Sequence, residues 1–146
     1  MDVHFSSADQ TWTTPRWLFR ELDAEFGFTL DVASSDDNAL CEQRFTPETN
    51  GLAQDWLTAA AGGSAFCNPP YRTVAKWIEK AAAEAARGLT VVMLIPARPD
   101  TDAFHKHIIN KSNVEVRWLK GRLKFGNATN SAPFPSCVVI FRPKVV

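Results

Sequence analysis

The chain has few cysteines and no clustered metal ligands. Its 146 residues include three cysteines, Cys41, Cys67 and Cys137, which lie far apart and form no C-x-x-C pair. This spacing suggests neither a disulfide framework nor a zinc site. His105 and His107 lie two positions apart and would point to different faces of a helix, which argues against a metal site there. We therefore expect reduced thiols and no bound metal.

Long apolar runs are also missing. No stretch approaches the length of a membrane span, and residues 1–4 lack the basic and apolar regions of a secretory signal. These absences predict a cytoplasmic protein without a membrane partner. The composition, 45% hydrophobic and 22% charged, is that of one globular domain with a buried core. We expect residues 1–146 to form that domain, with residues 1–10 flexible.

The chain has no net charge, because Lys plus Arg and Asp plus Glu both number 16. The two signs are nevertheless divided unevenly. Residues 1–97 hold 7 basic and 13 acidic side chains, whereas residues 98–146 hold 9 and 3. One interpretation is that both halves fold together and mix their charges. The other is that the second half presents a basic surface to an anionic partner such as a nucleic acid.

Hydrophobic periodicity predicts an α/β protein. Runs typical of buried strands comprise residues 28–33, 65–67, 89–95, 113–119 and 136–141, with a short candidate at 40–45. Helical patterns comprise residues 15–27, 74–88 and 101–109. Thr14 and Pro15 are expected to be the N-cap and first residue of the first helix. This order suits a Rossmann-like, mostly parallel sheet with an antiparallel last strand and helices on both faces; residues 120–135 form a long hairpin loop.

The stretch Asn68-Pro69-Pro70-Tyr71 follows a short apolar run and precedes a helical pattern. The side-chain oxygen of Asn68 and the carbonyl of Pro69 can accept both hydrogens of a planar NH2 group, and the prolines stiffen the loop. Tyr71 can stack on the ring that carries the amine. The alternative is an ordinary turn whose aromatic residue covers a helix start. Position favours a site, since open α/β sheets bind ligands at such strand-to-helix junctions.

Asp31 is an acidic residue near the carboxyl end of the first predicted strand. Burying a carboxylate is costly unless a partner such as a ligand ammonium compensates it. A turn in which Asp31 caps the following loop with Ser34 and Asp36 is the alternative.

The Asn68-Pro69-Pro70-Tyr71 stretch resembles motif IV of the amino-methyltransferases that use S-adenosylmethionine, and the chain from about Trp12 to Pro143 resembles the Dam-like phage DNA N6-adenine methyltransferases. The similarity depends on the shared order of several short motifs. The other motifs are Trp12-Thr13-Thr14-Pro15, Leu30-Asp31-Val32-Ala33, Asp55-Trp56, Pro96-Ala97-Arg98, Gly121-Arg122-Leu123-Lys124-Phe125 and Ser131-Ala132-Pro133-Phe134-Pro135-Ser136. This resemblance implies the seven-stranded methyltransferase variant of the Rossmann-like fold. It also implies that the protein acts in a bacterial or phage-infected host cell.

The resemblance also implies how S-adenosylmethionine is held. Trp12 and Thr14, in the place of motif X, would lie against its methionine moiety, and Asp31, in motif I, would bind its ammonium. Ala33-Ser34-Ser35 stands where motif I is commonly glycine-rich. Asp55, in motif III, would accept a hydrogen bond from the adenine amine, and a helix N-cap is the alternative.

An acidic partner for the ribose is expected from the same family, and the choice between Glu42 and Glu48 stays open.

For the reaction, the resemblance implies methyl transfer to N6 of an adenine that has left the DNA duplex. Asn68 and Pro69 would hold the amine, and Asn68 would also border the cofactor. Tyr71 would hold the base, with Phe125 as a second wall; the alternative for Phe125 is a plug in the core. No metal is implied.

Four cations near the start of the hairpin loop are expected to hold phosphates of the nucleic acid: Arg117, Lys120, Arg122 and Lys124. Alternative acceptors for the same loop chemistry are adenine in RNA and a glutamine amide in a protein. A nucleic-acid-binding module without catalysis is the alternative from another class.

Overall fold

The computed structural model describes residues 12–126 and 130–144. Predictions that fall on residues 1–10 and on positions 127–129 of the hairpin lie outside these ranges. The helices are α1 (Arg16–Phe26), α2 (Trp56–Ala60), α3 (Val74–Ala86) and α4 (Asp102–His107). The strands are β1 (Phe28–Asp31), β2 (Ser64–Cys67), β3 (Val91–Pro96), β4 (Val114–Trp118) and β5 (Ser136–Phe141). Two short 3-10 turns cover Gly51–Ala53 and Tyr71–Thr73.

The five strands form one mixed sheet in the order β1-β2-β3-β5-β4. The first three strands are parallel, and β5 is antiparallel to both β3 and β4. The predicted antiparallel last strand is confirmed. Because β4 consequently runs in the direction of β1–β3, these strands all end, and β5 begins, at one edge of the sheet. We call this the carboxyl edge; the hairpin that joins β4 to β5 opens there, beside the loop that follows β2.

Strand residues alternate between two hydrophobic clusters, one on each face of the sheet. Val91 and Met93 of β3 belong to the cluster that includes side chains of α2, α3 and α4, whereas Val92 and Leu94 belong to the cluster that includes α1. Helices therefore cover both faces, as predicted. All residues of β2, β3 and β5 are buried, which explains their nearly continuous apolar sequences. Burial of each large side chain contributes about 1.5–3 kcal/mol.

Two expectations about strands are wrong for the described residues. Positions 40–45 form no strand; they contribute only an isolated bridge between Asp31 and Arg44. The segments on either side of 40–45 are rich in polar turn formers, with Ser34, Asp36 and Asn38 before it and Pro47 and Asn50 after it. The described part of the chain accordingly contains five strands and not the seven that the resemblance implies.

The segment before α1 differs from the expected cap. Pro15 occupies the N-cap position with an extended backbone, and no side chain caps the helix. Thr14 lies one residue too early to cap α1, which leaves its hydroxyl available for a contact with Asn68 described below. At the other end the prediction is correct, because Gly27 ends the helix with φ of 64°, in the left-handed region that glycine adopts without strain.

The three cysteines are unpaired, and burial raises the pKa of the Cys41 and Cys137 thiols to about 12. Within the described ranges, no group of three or more potential ligand side chains is arranged to hold a metal ion. The helices seen in those ranges are all too short or too polar to cross a bilayer.

Candidate active site

Asn68 lies at the carboxyl edge, directly after β2. Its side chain is 4% exposed, and its Nδ2 donates to the carbonyl of Trp12 and to Oγ1 of Thr14, the latter at 2.9 Å. These contacts fix the amide so that its nitrogen faces the segment before α1. Its oxygen, Oδ1, is buried and has no hydrogen-bond partner among the described residues. The amide is therefore anchored through its donor and left with an unused acceptor.

Two further buried oxygens lack partners within the described residues: the hydroxyls of Tyr71 and Ser136. Burial raises the pKa of the Tyr71 phenol, so it remains a neutral donor. Ser136 opens β5 opposite Pro96, the last residue of β3, and so also lies at the carboxyl edge. An unsatisfied buried polar group costs about 1–3 kcal/mol. All three groups lie at the carboxyl edge, where a water molecule or a ligand can supply the missing partners.

Ser136 ends the motif at residues 131–136, and the sequence predicts no role for it. A serine that begins a buried strand offers no local signal of its missing partner.

Four aromatic rings pack together beside Asn68. Tyr71 is nearly parallel to Trp12, with centroids 6.2 Å apart and an interplanar angle of 19°, and meets Phe134 edge-on at 5.0 Å. Phe125 contacts Trp12 at 5.4 Å and Phe134 at 6.3 Å. Its ring is 1% exposed. Phe125 thus reaches Tyr71 only through the other two rings, and the core-plug alternative describes it better than a second wall around a base.

Asp31 ends β1 and is 3% exposed. Its Oδ2 accepts from the backbone N–H of Leu40 at 3.0 Å, and its Oδ1 accepts from that of Ala33 at 3.4 Å. No cation among the described residues pairs with it, and burial raises its pKa to about 6. The turn contact to Ala33 matches the structural alternative, yet it leaves the negative charge uncompensated. A ligand ammonium fits this carboxylate.

Two adjoining cavities lie over the end of β1 and share Ala33 in their linings. Cavity A is bordered by Trp12, Thr14, Asp31 and Asn68, all of them predicted cofactor-binding residues.

Cavity B has a volume of about 140 Å³ and is mostly apolar, with Phe45, Pro47, Pro70 and Trp77 in its lining. Gly51 also lines cavity B, and this position requires glycine because a Cβ there would overlap the carbonyl oxygen of Val32. Cavity A has a volume of only about 10 Å³ in this structure and admits no more than a water-sized group, whereas cavity B is large enough for a flat ring. Phe45, Pro47 and Trp77 were missed by the sequence reasoning, since they come from separate turns and a helix that only the fold brings together.

Glu42 and Glu48, the two acids considered for the ribose, are exposed and line neither cavity A nor cavity B.

Asp55 does not join the other predicted cofactor-binding residues. It is the N-cap of α2, accepting from the backbone N–H of Thr58 at 3.0 Å, and it pairs with Arg87 at 2.8 Å. Arg87 follows α3 and precedes β3, so Asp55 lies toward the end of the sheet opposite the carboxyl edge. Hydrogen bonding to Arg87 holds the pKa of Asp55 well below its usual range. The N-cap alternative is confirmed, and both carboxylate oxygens are in use.

Replacing Asp55 with alanine should therefore leave the affinity for S-adenosylmethionine unchanged and lower the free energy of unfolding, because a helix cap is lost. Calorimetry and urea denaturation measure the two effects. Asp55→Asn is the matched control, since asparagine still caps and should be milder. A large loss of affinity in Asp55→Ala at unchanged stability would return Asp55 to the cofactor site.

The cations near the hairpin differ in availability. Arg117 binds Glu25 through two contacts of 2.7 Å and Glu115 at 2.6 Å, so its charge is compensated. Its inclusion among the phosphate-holding residues is corrected. Arg122 and Lys124 are exposed and form no ion pair within the described residues, and Leu123 between them is buried. Residues 122–124 thus direct their apolar side chain inward and their two cations outward.

Residues 4–145 match the family model described as DNA N-6-adenine-methyltransferase (Dam). A DNA N-6-adenine-methyltransferase of Escherichia phage T1 is 29% identical over 113 residues, which cover 77% of this chain and 45% of the phage protein. The protein YfdM of Escherichia coli (strain K12), a provisionally named methyltransferase, is 44% identical over 63 residues, covering 41% of this chain and 69% of YfdM.

The aligned part of the chain thus spans about half the length of the phage relative. The family match, in contrast, extends over nearly the whole chain and includes every motif quoted above. The chain belongs to the DNA N-6-adenine-methyltransferase (Dam) family.

Proposed function

We propose that this protein is a site-specific DNA methyltransferase that moves the methyl group of S-adenosylmethionine to N6 of adenine in double-stranded DNA, with the target base extruded. The observation that carries this proposal is the buried, unpartnered Oδ1 of Asn68, whose amide is anchored through Nδ2 and lines cavity A together with the uncompensated Asp31. Family membership supports the same reaction.

When bound, S-adenosylmethionine supplies an electrophilic methyl group on a sulfonium. The protein's task is then to hold an amine in line with that group and to exclude water. Asn68 Oδ1 and the carbonyl of Pro69 are suited to accept both amine hydrogens, which leaves the nitrogen lone pair free to attack. Because Asn68 is held by the backbone at Trp12 and by Thr14, the acceptor needs little reorganisation during the reaction. Tyr71 provides an aromatic face for the ring that carries the amine.

Cofactor residues in this proposal are Trp12, Thr14, Asp31 and Asn68 around cavity A, with the ring pocket of cavity B beside them. The order of the sheet, with β5 between β3 and β4, supports a Rossmann-like fold that carries the cofactor at its carboxyl edge. We place the reaction in the cytoplasm of a bacterium or phage-infected cell, with residues 1–146 acting as one domain.

DNA is the favoured acceptor because unpaired cations flank the site. Lys120, Arg122 and Lys124 are exposed on the loop that opens at the carboxyl edge. Such a group of cations suits a phosphate backbone better than a glutamine side chain in a neutral protein surface. Adenine in RNA shares this chemistry and is the second candidate acceptor.

Replacing Arg122 and Lys124 together with alanine should flatten the slope of log affinity for duplex DNA against log salt concentration by about one to two units, because each phosphate neutralised contributes about −0.9. Affinity for S-adenosylmethionine should not change. Fluorescence anisotropy over a salt series measures the slope.

The matched control removes the same charge from the opposite edge of the sheet. Lys111 precedes β4 and Lys144 follows β5, and both are exposed. Lys111→Ala with Lys144→Ala should keep the wild-type slope. Equal slopes for wild type and Arg122→Ala/Lys124→Ala would refute the placement of DNA and revive the protein-amide acceptor.

The class of activity is tested by incubating the purified protein with S-adenosylmethionine labelled in the methyl group and with duplex DNA, RNA or a protein mixture. Label in duplex DNA is the expected result. Binding of DNA without transfer to any of the three acceptors would identify a nucleic-acid-binding module instead.

A further inference from the structure

A third cavity lies at the carboxyl edge, between α3 and α4. Cavity C has a volume of about 300 Å³, and Tyr71 and Pro96 lie in its lining. This is at the lower end of the range for ligand pockets and is sufficient for a small planar group. Neither Asn68 nor Asp31 lines it. Cavity C is therefore separate from the place of methyl transfer and is joined to it through the side chain of Tyr71.

The interior of cavity C is apolar. Val74 and Ile78 of α3 and Phe104 of α4 line it together with Tyr71. These residues provide aliphatic surfaces and two aromatic rings, against which a flat heterocycle packs well. The ring of Tyr71 belongs at the same time to the aromatic cluster with Trp12 and Phe134. The side chain of Tyr71 would thus separate a base held in cavity C from a base held at Asn68.

Charged groups stand at the rim of this apolar interior. Arg98 and Asp102 line cavity C, are exposed, and form no side-chain hydrogen bond or ion pair within the described residues. An apolar slot beside an unpaired guanidinium matches a nucleotide, whose base enters the slot and whose phosphate stays at the cation. The carboxylate of Asp102 can accept from a base N–H group. Arg98 belongs to the Pro96-Ala97-Arg98 motif, which has no role in the transfer site.

We infer that cavity C binds the base of a nucleotide next to the acceptor adenine, while Arg98 holds the phosphate of that nucleotide. This inference rests on the proposed function, because it needs an adenine at Asn68. Once the acceptor base has left the duplex, its neighbour has lost a stacking partner and is easier to unstack.

The test combines filling of the cavity with removal of the base. Ala75 is exposed on the first turn of α3 and lines cavity C, so Ala75→Trp fills it with little risk to folding. Affinity is measured by anisotropy with S-adenosylhomocysteine present, on a duplex with a central adenine and on duplexes with an abasic nucleotide at each adjacent position. For the wild type, one abasic position should weaken binding about tenfold or more, as expected for a lost stacking contact.

Ala75→Trp should weaken binding to the intact duplex by a similar factor and should be indifferent to that abasic position. Ala83→Trp, on an exposed position of the same helix, is the control and should behave as wild type. Arg98→Ala should flatten the slope of log DNA affinity against log salt concentration by about 0.9, because one phosphate contact is lost. The inference is wrong if no abasic position lowers the DNA affinity of the wild type, or if the abasic nucleotide and Ala75→Trp weaken DNA binding additively. It is also wrong if Ala75→Trp lowers the affinity for S-adenosylmethionine instead. Methyl transfer to adenine without this coupling would overturn cavity C alone, whereas coupling without adenine methylation would overturn the proposed reaction.

Discussion

Replacing Asn68 with alanine should lower the rate of methyl transfer by about 10²-fold or more, which is the usual effect of losing one preorganised polar contact to the reacting group. Most of the affinity for S-adenosylmethionine should persist, because the methionine ammonium is assigned to Asp31 and Asn68 only borders the cofactor. Single-turnover kinetics measure the rate, and calorimetry measures the affinity.

The variant also loses two hydrogen bonds, those from Nδ2 to Trp12 and Thr14. Its stability should fall by about 1–3 kcal/mol, so folding must be verified by circular dichroism. Asn68→Asp is the matched control: like Asn68→Ala it loses the donor to the carbonyl of Trp12, but it keeps an acceptor oxygen and should retain more activity. A folded Asn68→Ala protein with wild-type activity would remove Asn68 from the mechanism.

Replacing Asp31 with asparagine should weaken the binding of S-adenosylmethionine by roughly tenfold to a hundredfold, because a charge-assisted hydrogen bond worth about 1.5–3 kcal/mol is lost. The same change should stabilise the ligand-free protein at neutral pH. Asparagine keeps an oxygen that can accept from Leu40 at the shorter of the two present contacts. Only the longer contact from Ala33 is lost.

The pH dependence has a definite sign. Burial raises the pKa of Asp31 in the folded state to about 6 from its ordinary value of 3.8, so the unfolded chain loses this proton at a lower pH. The carboxylate therefore destabilises the folded state progressively as pH rises from about 4 to about 6, and the cost is fully present above that window. A shift of this size corresponds to about 3 kcal/mol. The difference in unfolding free energy between Asp31→Asn and wild type should grow across this window and then level off.

Ligand binding should show the reverse dependence. The ionised carboxylate is the form that pairs with an ammonium, so wild-type affinity for S-adenosylmethionine should fall as pH falls below about 6. Calorimetry across this range, with Asp31→Asn as the pH-insensitive reference, measures the effect. An Asp31→Asn variant with lower stability and unchanged ligand affinity would instead make Asp31 a turn former.

Local sequence patterns were sufficient for most of the fold. The continuous apolar run of β5 and the helical spacing of α3 predict those elements nearly to the residue, because their burial depends on the chain's own periodicity. The stretch at 40–45 has the right residue types for a strand but forms only one bridge to β1. Strand formation requires a neighbouring edge that stays in register, which a single sequence does not display.

The location of the candidate site was predictable where a residue's place follows from the strand that it ends or follows. Asn68, Tyr71 and Asp31 lie directly after or at the end of buried strands, and the fold brings them to one edge. Roles set by distant partners were not accessible. Asp55 is held by Arg87, 32 positions away, and Arg117 by Glu25, 92 positions away; neither pairing has a local signature.

The measurement that tests the central claim most directly is nucleoside analysis of DNA incubated with the protein and S-adenosylmethionine. The DNA is digested to nucleosides and separated by chromatography with mass detection, with the Asn68→Ala protein as the reference. The account predicts N6-methyladenine in the wild-type sample and about a hundredfold less or none with Asn68→Ala. Methyl groups on cytosine alone, on RNA or protein in place of DNA, or on adenine to the same extent with both proteins would contradict it.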